Sequence, residues 1–186
     1  MTLLAKSFRN LCQNAGFPLS GAVDIDLAQT AFQPHFQKYL NWIDAGFHAQ
    51  MSYLKRGIEK RSDPRTLFPE AKSVFCVAYP YSAKKYGATN PSTGPMLARY
   101  IRGSDYHKNI SSRLEEIMFE LKKNNPELKW KICVDTSAVL ERSWAALCGL
   151  GWIGKNTLLI HPQLGSYFFI GVVLTNLKTN TPPEVL

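Results

Sequence analysis

Leu4, Phe8, Leu11, Cys12 and Ala15 recur at helical spacing until Gly16 breaks the run, which predicts an amphipathic helix at the start of the chain. Phe32, Phe36, Tyr39, Leu40 and Ile43 repeat the pattern and predict a second helix. At residues 73–79, SVFCVAY, the period disappears: an unbroken β-branched and aromatic run predicts a strand buried on both faces. The polar stretch 82–95 predicts a long loop of the kind that often binds a ligand. MLARYI predicts a short strand ended by Gly103, after which Ser104 or Asp105 offers a cap to the clearest helix in the chain. Its apolar stripe is Ile110, Leu114, Ile117, Met118 and Leu121. Lys122 and Lys123 suit the negative end of that helix, and NNP stops it.

Residues 128–135 alternate, with Leu128, Trp130, Ile132 and Val134 on one side and Lys129, Lys131, Cys133 and Asp135 on the other. Asp135 therefore falls at the carboxyl end of a predicted strand, just before a helix carrying Leu140, Trp144, Leu147 and Cys148 on one face. NTLLIH and SYFFIGVVLTNL predict two further strands, and KTNTPPEVL reads as an extended, linker-like end. There is no internal repeat. Helices and strands are interspersed without βαβ regularity, so the expected class is α+β, a mixed or antiparallel sheet sandwiched by helices.

Between the last helix and its strand, Gly149, Gly154 and Lys155 stand at the spacing of a phosphate-binding G-x-x-x-x-G-K loop. Such a loop must follow a strand and open a helix, so that free N–H groups at the helix start face the anion. Here a helix comes first and a strand follows. Asn156 also occupies the position that needs a hydroxyl for magnesium, with Thr157 one residue too late. A nucleotide site is therefore not expected. A glycine-rich bend that brings Trp152, Lys155 and Asn156 to some other ligand stays open.

The 186 residues suit one domain able to bury a substantial core. Lys and Arg outnumber Asp and Glu, 22 to 14, and the resulting +8 favours an anionic partner, or else only a basic soluble surface. The charges lie in short scattered pairs, Lys84-Lys85, Lys122-Lys123 and Lys129 with Lys131, which argues against an autonomous nucleic-acid-binding arm. Cysteines at 12, 76, 133 and 148 form no C-x-x-C pair, so neither zinc nor an iron–sulfur cluster finds its usual ligand spacing, and buried thiols are expected. The N-terminus lacks a signal-peptide core and no apolar run reaches the roughly 18 residues of a membrane span. A cytoplasmic location without membrane association is the expectation.

Three groups of residues offer chemistry. Asp135, at a strand end opening onto a helix, stands where ligands gather in α/β architectures, and if partly desolvated it could deliver a proton to a leaving oxygen. The plainer role for it is a helix N-cap. Asp105, Tyr106 and His107 occur together, and Asp105 and His107 fit a cobalamin fingerprint D-x-H-x-x-G until Ile110 takes the glycine position. His107 is accordingly not assigned as a cobalt ligand. Arg61 and Arg65 flank Asp63-Pro64, either as anion clamps or as a solvated face. Glu141 and Arg142 read as structural partners.

Taken together and in order, MSYLKR, RSDPRTLFPEAKSVFCVAYPY, ARYIRGSDYH, VDTSAVLER, GLGWIGKNTLLI and GSYFFIG resemble the N-terminal half of epoxyqueuosine reductases, over about residues 45–177. The resemblance implies a cytoplasmic oxidoreductase that reduces the epoxide of epoxyqueuosine to queuosine at the wobble position of tRNA. It implies a nitroreductase-like or reductive-dehalogenase-like core holding cobalamin without its nucleotide base bound to cobalt. It also implies two 4Fe-4S clusters, supplied with electrons by a donor protein or reductant, in a ferredoxin-like region that follows in the family. The family's aspartate after this strand is the proton donor, and that position here is Asp135. Arg61, Arg99, Tyr106, His107, Trp152, Lys155, Asn156 and Ser166 lie inside the matching blocks and are the implied corrinoid-lining residues.

The division that follows is a cobalamin-binding catalytic domain over 1–177 and a linker over 178–186 leading towards an iron–sulfur domain that this sequence, ending at Leu186, does not contain. The chain is then expected to bind cobalamin and to turn over weakly or not at all by itself. Two alternatives remain open at this level, a non-catalytic corrinoid-binding module and a flavin-dependent reductase of similar fold.

Overall fold

A computed structural model describes residues 2–81, 98, 100 and 104–184. Within them a four-stranded antiparallel sheet runs in the order β1-β2-β6-β3, formed by β1 (Leu19–Asp24), β2 (Ser73–Pro80), β3 (Trp130–Cys133) and β6 (Phe168–Thr175). The apolar run at 73–80 is thus a central strand, paired along its whole length to β6 and buried on both faces. That pattern usually marks parallel sheets; here helices cover both faces of an antiparallel one.

Odd and even positions of the strands send side chains to different cores. Val74, Cys76 and Ala78 of β2, with Val172 and Leu174 of β6, meet α2 (Ile25–Asp44) and α6 (Glu141–Leu147). Phe75 and Val77, with Val173, meet α1 (Leu3–Asn14) and α5 (Tyr106–Asn124). The first core centres on Trp144, which is 2% exposed and stacks on Phe32 with ring centroids 4.6 Å apart. In the second core, the stripe read from the sequence on α5 is buried in full.

Several boundaries differ from the sequence reading for physical reasons. β1 was not anticipated, because LSGAVD is short and contains a glycine. Gly21 is required there: a Cβ would lie 1.9 Å from the carbonyl oxygen of Cys148, where the end of α6 crosses the strand. α2 begins at Ile25, capped by Asp24, seven residues ahead of the stripe that signalled it. Two short helices, α3 (Ser52–Arg56) and α4 (Ile58–Ser62), and a 3-10 turn at Pro64–Thr66 connect α2 to β2. The predicted strand at 128–135 is paired only over four residues, and NTLLIH contributes two residues, β5 (Leu159–Ile160), to a hairpin with β4 (Trp152–Ile153). The predicted strand at 96–101 lies outside the described residues apart from positions 98 and 100.

The extended end of the chain lies along the domain. Thr179 is fully buried and donates its N–H to the Ser73 hydroxyl at 2.9 Å, Asp24 donates to the Thr181 carbonyl, and Glu184 donates to that of Leu147. All four cysteines are buried and unpaired, as their spacing implied. Among the described residues no helix is long and apolar enough to cross a membrane.

Candidate functional site

β3 ends at Cys133, and the chain turns sharply at Asp135, whose φ of +59° is the left-handed conformation that non-glycine residues rarely adopt. The Thr136 N–H reaches back to the Val134 carbonyl at 2.6 Å and closes the turn. Asp135 does not cap α6; that position is Leu140, which provides no side-chain cap. The relation is inverted: Glu141, the first residue of α6, accepts the backbone N–H of Asp135 on Oε1 at 2.7 Å. The Asp135 side chain projects outward and is 64% exposed, so the partial desolvation considered for it is not present in this chain.

The start of α5 comes to meet it. Asp105 caps the helix, accepting the His107 N–H at 3.0 Å and contacting His107 Nδ1 at 2.9 Å. Tyr106 then donates its hydroxyl to Asp135 Oδ2 at 2.9 Å, and His107 Nε2 stands 3.3 Å from the same oxygen. The Tyr106 ring lies between His107, with centroids 3.9 Å apart, and Phe169 of β6, 3.8 Å away and 4° from parallel. Tyr81 leans on the far side of this stack, 4.6 Å from Phe169. The sheet thereby fixes the ring whose hydroxyl holds Asp135.

Electrostatics follow from these contacts. Burial, and then the bond to Asp135, push the Tyr106 phenol well above its usual range, so it remains a donor. Burial works against a charged His107, but bonds to Asp105 and Asp135 outweigh it and raise the imidazolium above the usual histidine value. With a carboxylate at each ring nitrogen, His107 is engaged on both sides. Glu141 is raised to about 7 by burial, with the Asp135 charge adding to it, against the opposing pull of the Asp135 N–H, Arg142 and His107.

Arg142, next along α6, donates to the Thr157 carbonyl and ties the β4–β5 hairpin to the same helix end. Trp152, Ile153 and Leu158 stand exposed on this hairpin, with Lys155 and Asn156 in its turn. Asn156 Oδ1 accepts the Leu158 N–H at 3.2 Å. Helix precedes hairpin here, the reverse of a phosphate loop. Ser166, half-buried, precedes the strand that carries Phe169. Arg61 sits in a different cluster, on α4, with its guanidinium 5.8 Å over the Tyr39 ring and Nη1 buried without a hydrogen-bond partner. Arg99 lies outside the described residues. Among the described residues, no group of three or more His, Cys, Asp or Glu is arranged to hold a metal ion.

Known proteins share both sequence and fold with this chain. The family described as "Epoxyqueuosine reductase QueG, DUF1730" matches residues 61–136. An epoxyqueuosine reductase of Synechococcus sp. (strain CC9605) is 35% identical over 183 residues, 98% of this chain and 55% of that protein. This chain is similar to the N-terminal half of epoxyqueuosine reductases. The chain spans about half the length of the curated relatives it matches, 55% of this one and 50% of the epoxyqueuosine reductase of Pseudomonas aeruginosa, and is consistent with their N-terminal half.

Solved epoxyqueuosine reductases show the fold. That of Streptococcus thermophilus superposes with a TM-score of 0.75 at 23% identity, covering 97% of this chain and 48% of the other. An epoxyqueuosine reductase crystallised with a tRNA-Tyr epoxyqueuosine-modified stem loop gives 0.73 at 23% identity, covering 98% and 47%. The Bacillus subtilis enzyme, seen with its catalytic aspartate loop swung out of the active site, gives 0.68 at 22% identity, covering 98% and 49%. Epoxyqueuosine reductases are oxidoreductases, and the part of the family fold that this chain represents carries the Asp135 cluster.

Of the residues singled out in the sequence, the structure brings Asp135, Tyr106, His107 and Asp105 together at the junction of β3 and α5. Phe169 and Tyr81 escaped notice because nothing marks them apart from other core aromatics. Glu141 and Arg142 do act as structural partners, each of a loop rather than of one another.

Proposed function

We propose that this chain is the epoxide-reducing portion of a cobalamin-dependent epoxyqueuosine reductase acting at the wobble position of tRNA, with Asp135 as proton donor. The observation that carries the proposal is an exposed carboxyl at a strand end, held through one oxygen by Tyr106 and His107. The epoxyqueuosine-modified stem loop bound by one relative, and the catalytic aspartate loop of another, favour the same reading. The net charge of +8 suits a tRNA partner.

Reducing an epoxide to an alkene takes two electrons and two protons and releases the oxygen as water. Cleaving the C–O bond leaves charge on that oxygen, and a positioned acid prevents it from leaving as a buried anion. Both hydrogen bonds to Asp135 fall on Oδ2, so Oδ1 is the oxygen that gives up the proton. His107, with its raised imidazolium, faces Oδ2 and stabilises the carboxylate left once the Oδ1 proton has gone, and the exposed Oδ1 is reprotonated from solvent. Tyr106 keeps the carboxyl in one orientation, which is worth most when the acceptor is fixed within hydrogen-bond reach.

Cobalamin, when bound, supplies the two electrons at its cobalt. The side chains present suit such a group: Trp152, Ile153 and Leu158 offer an exposed apolar surface for a large flat ring, and Lys155 and Asn156 offer polar partners for its amide rim. Tyr106, His107 and Ser166 border the same end of the sheet, and Arg99 is proposed to join them, while Arg61 sits in the separate cluster over Tyr39 and is left out of this lining. The 4Fe-4S clusters are assigned outside these residues, since the four cysteines are buried and include no C-x-x-C pair. We accordingly divide the chain into a catalytic domain over 1–177 and a connecting segment over 178–186, in a cytoplasmic enzyme.

Adding cobalamin to the purified chain, followed by gel filtration, tests the cofactor. Corrinoid absorbance should co-elute with the protein, and reduction of an epoxyqueuosine-containing stem loop by an added chemical reductant should depend on it. Co-elution of flavin with no corrinoid would reverse the assignment.

A further inference from the structure

Asp135 is held at both of its ends, by its side chain from α5 and by its backbone from α6. A left-handed aspartate costs conformational energy and persists only where its surroundings over-determine it. The remaining backbone bonds nearby, Thr136 to Val134 and Val139 to Ser137, shape the turn but leave the Asp135 N–H to Glu141. A bond from an N–H to a carboxylate is about twice as strong as one to a neutral acceptor.

We propose that Glu141 is a positioning residue for the proton donor: anchored in the first turn of α6, its carboxylate clamps the Asp135 N–H and so presents the Asp135 carboxyl to Tyr106 and His107. This deepens the reading of Asp135 as donor and rests on it. Glu141 acts through the backbone of its neighbour in the turn, and a leucine of similar size at the same place leaves that N–H unpartnered. Burial of the carboxyl makes the clamp sensitive to protonation in the range around 7. The charged or titratable groups that face it are Asp135 in the loop, Arg142 on α6, His107 and Tyr106 on α5, Cys133 on β3 and Cys76 on β2.

The Asp135 amide itself reports on the clamp. In the wild-type chain its proton resonance is expected to move with a midpoint near pH 7, following Glu141. Glu141→Gln keeps an acceptor oxygen but cannot ionise, so the amide stays protected and that midpoint vanishes. Glu141→Leu removes the acceptor, and hydrogen exchange at the amide speeds up at least about tenfold, with amides outside the loop unchanged. His107 also titrates in both proteins, so only the difference between wild type and Glu141→Gln is read. The proposal is overturned if Glu141→Gln titrates as the wild type does, or if a folded Glu141→Leu exchanges at the wild-type rate. Should Glu141→Leu not fold, the Glu141→Gln titration decides alone. These measurements need no turnover, so a fully active Asp135→Asn would sink the donor role while leaving the clamp standing.

Discussion

The hydroxyl of Tyr106 donates to Asp135 Oδ2 at 2.9 Å while its ring lies flat on Phe169, so a strand in the middle of the sheet sets the direction of a carboxyl on the far side of a loop. Tyr106→Phe removes the donor and keeps the stack. A hydrogen bond to a charged group is worth about 1.5–3 kcal/mol, so reduction should slow by about 10- to 100-fold with the melting temperature nearly unchanged. Single-turnover rates beside a thermal melt check this.

Glu141 carries a stability signature of its own. Its folded-state pKa is raised from 4.5 to about 7, so the folded protein binds this proton more tightly than the unfolded chain does. Its contribution is complete below about pH 4.5, declines as the pH rises to about 7 and is lost above that. Glu141→Gln cannot ionise and should be more stable than wild type by roughly 1–3 kcal/mol above pH 7, with the difference closing below about pH 4.5. Denaturant melts at three pH values measure it. A buried acid that costs stability at neutral pH, in contact with the proposed donor, fits the usual trade between stability and activity.

His107 has the same sign for a different reason. Its imidazolium is favoured in the fold by Asp105 and Asp135, so the stability it adds is full below about pH 6.5 and fades as the pH climbs through its raised folded value. His107→Gln should flatten that part of the stability curve. Two-dimensional NMR of the ring protons gives the midpoint directly, and a midpoint below 6.5 would contradict the two-carboxylate cradle.

Local pattern carried much of this fold. The stripes on α1 and α5 and the apolar run of β2 were legible because a helix or a doubly buried strand imposes its period on every turn. β1 and β4 were not, because these strands are held by tertiary contact: Gly21 beneath the Cys148 carbonyl, and Gly151, where a Cβ would fall 2.1 Å from the Ile160 carbonyl oxygen. The site divides in the same way. Asp135, Tyr106 and His107 are chemically conspicuous, whereas the partnership of Glu141 with a backbone N–H depends on a turn that no spacing rule announces.

Trp144 should dominate the core beneath α6. It is 2% exposed and stacked on Phe32, and Trp144→Ala should cost about 3–5 kcal/mol, read from urea midpoints. Because α6 also carries Glu141, the same variant should weaken protection of the Asp135 amide.

Asp135→Asn tests the central claim most directly, in single-turnover reduction of an epoxyqueuosine-containing stem loop with cobalamin and a chemical reductant. Loss of a positioned acid typically costs about 100- to 10,000-fold, and a drop of that size is expected while corrinoid binding stays at the wild-type level. Wild-type rates in Asp135→Asn would contradict the account.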